Sequence, residues 1–407
     1  MTPIPDHHFD TGRAQRGAAG QLSRDVFVTT VFLLVSLGTV MVFSASAFYW
    51  SVEGDAFYFL RRQAAWLPIA ILGCHLFRSL DHRILRRHYW TLLVASIVLL
   101  AIVLVPQLGR KENEATRWLP LGGGFQFQPS ELAKLAAIVF VAGFMSADPT
   151  RKDRFLGGFL VVCAAVLPLF TLILVEPDFG TAMFVLGLAF FVLFLSGTRN
   201  LFFLASALIF APIISAFVYL RWEKIYSRVL GFLEPEKVYQ VKHSLIALGS
   251  GGWTGLGLGA SGQKLRFLPE PHTDFILAIL GEEMGFIGTL TLLILFVVLL
   301  VSGAAMVWRV RDLFGFLVGS GIILSLAFQA ALNIAVVTAS APTKGIPLPF
   351  VSFGGSGLCV VLAQVGLLLS IERADRESGA EEPDLGHLSP GGAGALEPVQ
   401  EAGEATA

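Results

Sequence analysis

Residues 275–307 read FILAILGEEMGFIGTLTLLILFVVLLVSGAAMV. From Phe286 to Val307 no charged residue interrupts the run. A membrane-spanning helix needs about 20 consecutive, mostly apolar residues. This stretch therefore reads as a span, long enough to tilt or to project beyond the bilayer. It carries Glu282 and Glu283 about two turns from its start, and ionisable residues at such depth face the bundle or a cavity. A buried pairing with a neighbouring helix and a functional role both fit them. The same apolar signature recurs at 26–47, 63–77, 89–106, 131–147, 156–175, 180–197, 200–220, 313–340 and 350–371. The expected fold is an all-α polytopic membrane protein of about ten transmembrane helices.

Composition agrees. The 407 residues are 55% hydrophobic and 14% charged, with 34 Phe, against about 45–50% apolar and about 25% charged for a soluble domain. Mean hydropathy is +0.71. These values exclude a disordered chain, a coiled coil and an ordinary soluble globule. A net charge of −1 gives no global field for nucleic acid. Cys74, Cys163 and Cys359 all lie in apolar segments, so they read as small buried hydrophobes and not as a disulfide framework.

Ten spans put both termini on one side. That side carries 15 of the 29 Lys and Arg residues, and the short loops on the other carry six. The excess marks the cytoplasmic side. Residues 1–25 then form a cytoplasmic N-terminal tail with no signal-peptide cleavage pattern. Residues 26–371 form the transmembrane domain, and 372–407 form a disordered cytoplasmic tail rich in Gly, Pro, Ala and Glu. One long extracytoplasmic loop, 221–274, separates helices 7 and 8. Its run Gly257-Leu258-Gly259-Ala260-Ser261-Gly262 satisfies G-x-G-x-x-G but lacks the flanking strand and acidic residue of a dinucleotide site. It reads as a loop that allows close backbone approach.

The outer loops hold nearly all the chemically distinctive residues. Glu131 and Lys134 stand three apart at the start of a span and can pair on one helix face. Glu176-Pro177-Asp178 is a tight turn in which Asp178 can cap the next helix. Glu270, His272 and Asp274 alternate at the mouth of the eighth span. An extended backbone would put all three on one face, a plausible acid–base or metal constellation. One face of the bundle thus gathers carboxylates, cations and hydroxyls above an apolar body. That suits a substrate with an anionic head and a lipid tail.

Several separated motifs, in order, resemble one family. They are Phe43-Ser44-Ala45-Ser46, Arg117-Trp118-Leu119, Gln128-Pro129-Ser130-Glu131 with Lys134, Glu176-Pro177-Asp178-Phe179-Gly180-Thr181, Leu268-Pro269-Glu270-Pro271-His272-Thr273-Asp274-Phe275-Ile276, and Pro342-Thr343-Lys344-Gly345 with Pro349-Phe350-Val351-Ser352-Phe353-Gly354-Gly355-Ser356. The chain resembles the SEDS family of FtsW, RodA and SpoVE across about 26–371. Gly257 to Lys264 and Gly281-Glu282-Glu283-Met284-Gly285 resemble the FtsW branch more than the RodA branch.

The resemblance implies a peptidoglycan glycosyltransferase of the bacterial inner membrane. It would polymerise lipid II on the outer face, with undecaprenyl pyrophosphate leaving, for septal synthesis in cell division. It implies catalytic roles for Asp274, Glu270 and Glu131. Asp274 would be the base or the ligand of a divalent cation, Mg²⁺ or Mn²⁺. Arg117, Lys134, Lys344, Gln263, Lys264, His272 and Ser352 would bind substrate, the cations stabilising the leaving pyrophosphate. It further implies a partner, the class B penicillin-binding protein that crosslinks the strand. The alternatives are a RodA-like elongation polymerase, a lipid II flippase and a divisome scaffold.

Overall fold

The computed structural model describes residues 7–51, 55–112, 115–123, 125–220, 222, 234, 236, 238–265, 267–342 and 344–380. Each of the ten apolar segments lies on a helix: α1 (His7–Ser51), α2 (Tyr58–Ser79), α4 (Tyr89–Val103), α5 (Pro129–Ala147), α6 (Leu160–Val175), α7 (Phe179–Leu195), α8 (Asn200–Leu220), α10 (Ile276–Val307), α11 (Leu313–Val337) and α12 (Gly355–Ala380). A short α3 (Arg83–Arg87) and an α9 (Tyr239–Ser250) complete the described α-helices, and a 3-10 turn (Pro149–Asp153) and a π-helical turn (Phe155–Phe159) lead into α6. Within the described residues, six helices are long and apolar enough to cross a membrane, while α4 and α7 are apolar but shorter.

Local chemistry sets the helix ends. Pro129 opens α5 and Glu131 lies in its first turn, where a fixed φ and a negative charge suit a helix N-terminus. Asp178 caps α7 by accepting from the Thr181 amide, and Asp312 caps α11 through the Gly315 amide. Helix α5 is the centre of the bundle. It is buried along almost its whole length and is surrounded by α4, α7, α11 and α12.

Four features differ from the sequence reading. Helix α1 starts at His7, and α12 runs on to Ala380. Parts of both expected tails are thus helical, and 381–407 lies outside the described residues. The loop between α4 and α5 folds as an antiparallel sheet, β1 (Arg110–Glu112), β2 (Ala115–Gly122) and β3 (Phe125–Phe127), in that order. Leu119 faces Phe127, and the register shifts between Pro120 and Gly122. Two strands of three residues and a longer one with a proline and an irregular register leave no period-two pattern to read. The long loop contains α9, which buries Val241, Ser244 and Ala247 and packs on α10.

The fourth feature is a break in α10. Gly285 has φ 66° and ψ −162°, a region open essentially to glycine alone. The interruption frees backbone groups that hydrocarbon cannot satisfy. The glycine-rich segment after α9 supplies the partners. Phe286 and Ile287 amides donate to the Gly252 and Trp253 carbonyls at 2.9 and 3.1 Å. In return, the Leu256 and Gly257 amides donate to the Glu282 and Glu283 carbonyls, both at 3.0 Å. A Cβ at Gly285 would lie 2.7 Å from the Trp253 carbonyl group. Gly285→Ala is therefore expected to destabilise the protein by roughly 2 kcal/mol or more, read as a lower unfolding temperature of the detergent-solubilised chain. An unchanged midpoint would contradict this account of the break.

Candidate functional site

The candidate site is built from four segments: β2, the α6–α7 turn, the loop 268–275 and the loop 344–354. Arg117 on β2 fixes the α6–α7 turn. Its guanidinium donates to the Glu176 carbonyl at 3.2 Å and the Pro177 carbonyl at 2.8 Å. It also pairs with Asp178 at 3.6 Å. Asp178 is occupied in part as the α7 cap, receiving both the amide and the hydroxyl of Thr181. Glu176 is fully buried, and neither of its carboxylate oxygens has a hydrogen-bond partner among the described residues. Burial, and then the Asp178 charge, push its carboxyl up to about 8 against the pull of Arg117. It is a neutral acid at pH 7.

The segment 270–275 is a turn and not the extended run that the alternation of Glu270, His272 and Asp274 suggested. Thr273 and Phe275 amides both donate to the Glu270 carbonyl, at 3.3 and 3.5 Å. Two prolines, Pro269 and Pro271, bend the chain there and cannot donate. The turn still gathers the three residues. His272 lies 3.9 Å from Glu270, with its ring against Phe59 and Phe353 at 4.0 and 5.9 Å between centroids. Burial drives the His272 imidazole down to about 4, so it is neutral at physiological pH and serves as a packed ring. Burial raises the Asp274 carboxyl to about 7, with Glu270 and Asp178 adding to the rise and Arg117 opposing it. All these charges therefore bear on one carboxyl.

Asp274 is held from behind. Asn333 on α11 donates to the Asp274 carbonyl at 2.9 Å and to the Ile346 carbonyl at 2.7 Å. Ser352 donates to the Thr273 carbonyl at 2.5 Å and accepts from the Leu348 amide at 2.8 Å. The Phe353 amide donates to the His272 carbonyl at 2.9 Å. Ser352 thus acts as a loop staple. Gly345 lies so close that a Cβ there would sit 2.7 Å from the Asp274 Oδ2. Lys344 comes next to Gly345 and extends over the Phe179 ring at 5.8 Å.

Glu131 and Lys134 form a second, inner cluster. Lys134 Nζ lies 2.9 and 2.8 Å from the two Glu131 oxygens and 3.0 Å from Gln329 Oε1. Gln329 donates onward to the Pro347 carbonyl at 3.0 Å, which joins this cluster to the loop that carries Lys344. Both charged groups are buried and spend their hydrogen bonds on one another. Gln263 and Lys264 stand apart again. Gln263 pairs with His243 of α9 at 2.8 Å. Lys264 is buried, and its ammonium meets Glu283 at 2.7 Å. Lys264 is thus committed inside the protein, and half-buried Gln263 is bound to His243, where the resemblance implied a substrate-binding pair.

The sequence reading missed Gln329 and Asn333. Two buried amides four residues apart inside an apolar span were the available signal. It also missed the buried acid of Glu176. Among the described residues no three of His, Cys, Asp and Glu are grouped to hold a metal ion.

Known proteins are similar to this chain in sequence and in fold. A family profile described as cell cycle protein, covering FtsW, RodA and SpoVE, matches residues 24–377. This chain belongs to that family. Among FtsW/RodA/SpoVE relatives, the probable peptidoglycan glycosyltransferase FtsW of Trichlorobacter lovleyi is 38% identical over 85% of this chain and 92% of its own length. The stage V sporulation protein E of Bacillus subtilis is 38% identical over 86% and 97%. A solved chain described under structural coordination of polymerization and crosslinking by a peptidoglycan synthase complex superposes with a TM-score of 0.71. It is 30% identical over 86% of this chain and 97% of that one. The rod shape determining protein RodA of Thermus thermophilus gives a TM-score of 0.62, at 30% identity over 86% and 96%.

The buried Lys134–Glu131 pair gives a stability test. Removing one partner leaves an uncompensated buried charge, so Glu131→Gln is expected to cost about 3–5 kcal/mol. The double change Glu131→Gln with Lys134→Met is expected to be much milder. Thermal unfolding of the three proteins decides it, and equal losses in the single and double variants would count against a mutual pair.

Proposed function

We infer that this chain is a peptidoglycan glycosyltransferase. It polymerises lipid-linked disaccharide, in the role that the names of its relatives give them, with septal synthesis in cell division as the setting. One observation carries the chemistry: Asp274, a carboxyl raised to about 7, stands at the mouth of an apolar bundle. A general base works best when its pKa lies near the operating pH. The acceptor hydroxyl attacks the donor sugar's C1, Asp274 takes the hydroxyl proton, and lipid pyrophosphate leaves. Arg117 and Lys344 face the gathering negative charge. Glu270 tunes Asp274. Glu131, Lys134, Asn333 and Ser352 hold the frame in place, and His272 packs behind the turn.

The frame is a ten-span membrane domain with both termini cytoplasmic and Asp274 at the extracytoplasmic end. The ten helical segments and the skewed Lys and Arg distribution support this. A class B penicillin-binding protein is the partner; the likeness to a chain described with a peptidoglycan synthase complex supports it. In the alternative role, Asp274 would not be the base but would, with Glu270, help hold a divalent cation. One or two carboxylates plus substrate phosphates is the usual Mg²⁺ arrangement, and it needs no protein cage of three ligands. Such a cation would neutralise pyrophosphate charge.

The test is polymer formation from labelled lipid II by the purified chain with its transpeptidase. Asp274→Asn is expected to abolish it while the protein remains folded. Activity should climb with pH through about 7 as Asp274 loses its proton. Arg117→Gln removes the charge that lowers the Asp274 pKa, so the climb should move to higher pH. Glu270→Gln removes a charge that raises it, so the climb should move lower. EDTA is expected to stop polymerisation, and added Mg²⁺ or Mn²⁺ to restore it. Full activity of Asp274→Asn would end the base assignment.

A further inference from the structure

The carboxylates of Glu282 and Glu283 lie next to the break in α10 and take no part in the chemistry above. Glu282 is buried and accepts from the Ser261 hydroxyl, from the Gly262 amide at 3.0 Å and from the Gln263 amide at 3.3 Å. Glu283 accepts from Ser44 of α1 at 2.5 Å, from Lys264 at 2.7 Å and from the Ser261 amide at 3.4 Å. Two adjacent carboxylates thus bind one short turn, 261–264, and one of them also ties it to α1. That turn leads straight to the Asp274 segment: the Leu268 amide donates to the Gln263 carbonyl at 2.9 Å. Its far side is fixed to α9 by Gln263 and His243.

We propose that Glu282, Glu283 and Lys264 form a positioning unit that sets where Asp274 stands by locking the 261–264 turn to the broken helix and to α1. The argument is geometric. Asp274 hangs between two anchors. One is the α11 and 344–354 side, through Asn333, Ser352 and Phe353. The other is the chain that arrives from Lys264. Without the second anchor, the side chains of the 261–264 turn would be tied to the rest of the protein chiefly by the Gln263–His243 bond to α9. The unit also explains why consecutive carboxylates are tolerated inside a span. Glu282 spends its charge on hydroxyl and amide donors, and Glu283 meets a full cation, so neither is left bare. Lys264 has its ammonium turned inward to Glu283, so it acts through the loop and not on the substrate.

This inference rests on the proposed glycosyltransferase reading for its kinetic readout, and a second readout is free of it. Three full-length variants are compared with the parent: Lys264→Met, Glu283→Gln and the pair together. Each single change strands a partner; the double change removes both charges. A displacement of about 1 Å at the reacting groups costs on the order of a hundredfold in rate. Each single variant is therefore expected to lose roughly ten- to a hundredfold in kcat, with KM for lipid II within about twofold and a shifted pH midpoint. The double variant should recover most of that loss. Hydrogen exchange at 255–275 should speed up in the singles and return toward the parent in the double. That readout holds even if the parent makes no polymer, an outcome that would sink the glycosyltransferase reading alone. A double variant no better than either single, in kinetics and in exchange, overturns the proposal. So does a Lys264→Met variant whose KM rises while kcat stays fixed, because Lys264 would then touch substrate.

Discussion

A lysine ammonium in the middle of an apolar bundle is costly unless its charge is met at once. Lys134 sits on α5, the helix that nearly every other layer surrounds, and its three acceptors come from two helices. Glu131 meets the charge and Gln329 completes the shell, so α5 and α11 are locked in register at that level. Gln329 then reaches the Pro347 carbonyl. Through that bond the buried charge fixes the loop that carries Lys344 and Gly345 against Asp274. The geometry of the outer site is thus a consequence of how one cation in the core is satisfied.

Backbone satisfaction imposes the second constraint. A helix that stops and restarts in an apolar environment needs partners for the groups it exposes. Here the partners are backbone groups of a glycine-rich segment, which can approach closely because it lacks side chains. The break lets α10 present Glu282 and Glu283 to a loop and still continue as an apolar helix to Val307.

The apolar helices were legible in the sequence because length and composition alone decide them. The outer site was legible in outline, since polar residues at the mouths of apolar segments have few bland explanations. The β-sheet and α9 were not, because two three-residue strands around one interrupted by Pro120, and a twelve-residue helix buried at only three positions, leave weak periodicity. Asn333 and Gln329 escaped notice because they bond mainly to carbonyls of distant segments, which carry no sequence signature. Lys264 was misleading for a related reason. Its counter-charge lies 19 residues further on, across a loop whose path only the fold reveals. The alternation of Glu270, His272 and Asp274 pointed to the right residues by way of the wrong backbone.

The Lys134 cluster also bears on how the chain is made. Glu131 lies three residues from Lys134, on the same helix, whereas Gln329 lies 195 residues away. Ribosomes deliver these groups in that order. When α5 leaves the insertion machinery, its lysine already has a counter-charge one turn away, and the helix can enter lipid as a neutral dipole. The amide from α11 arrives after four further apolar segments have been made, and it closes a shell that was provisionally complete. A local ion pair is thus in place for the most buried of the described spanning helices before its distant partner is made.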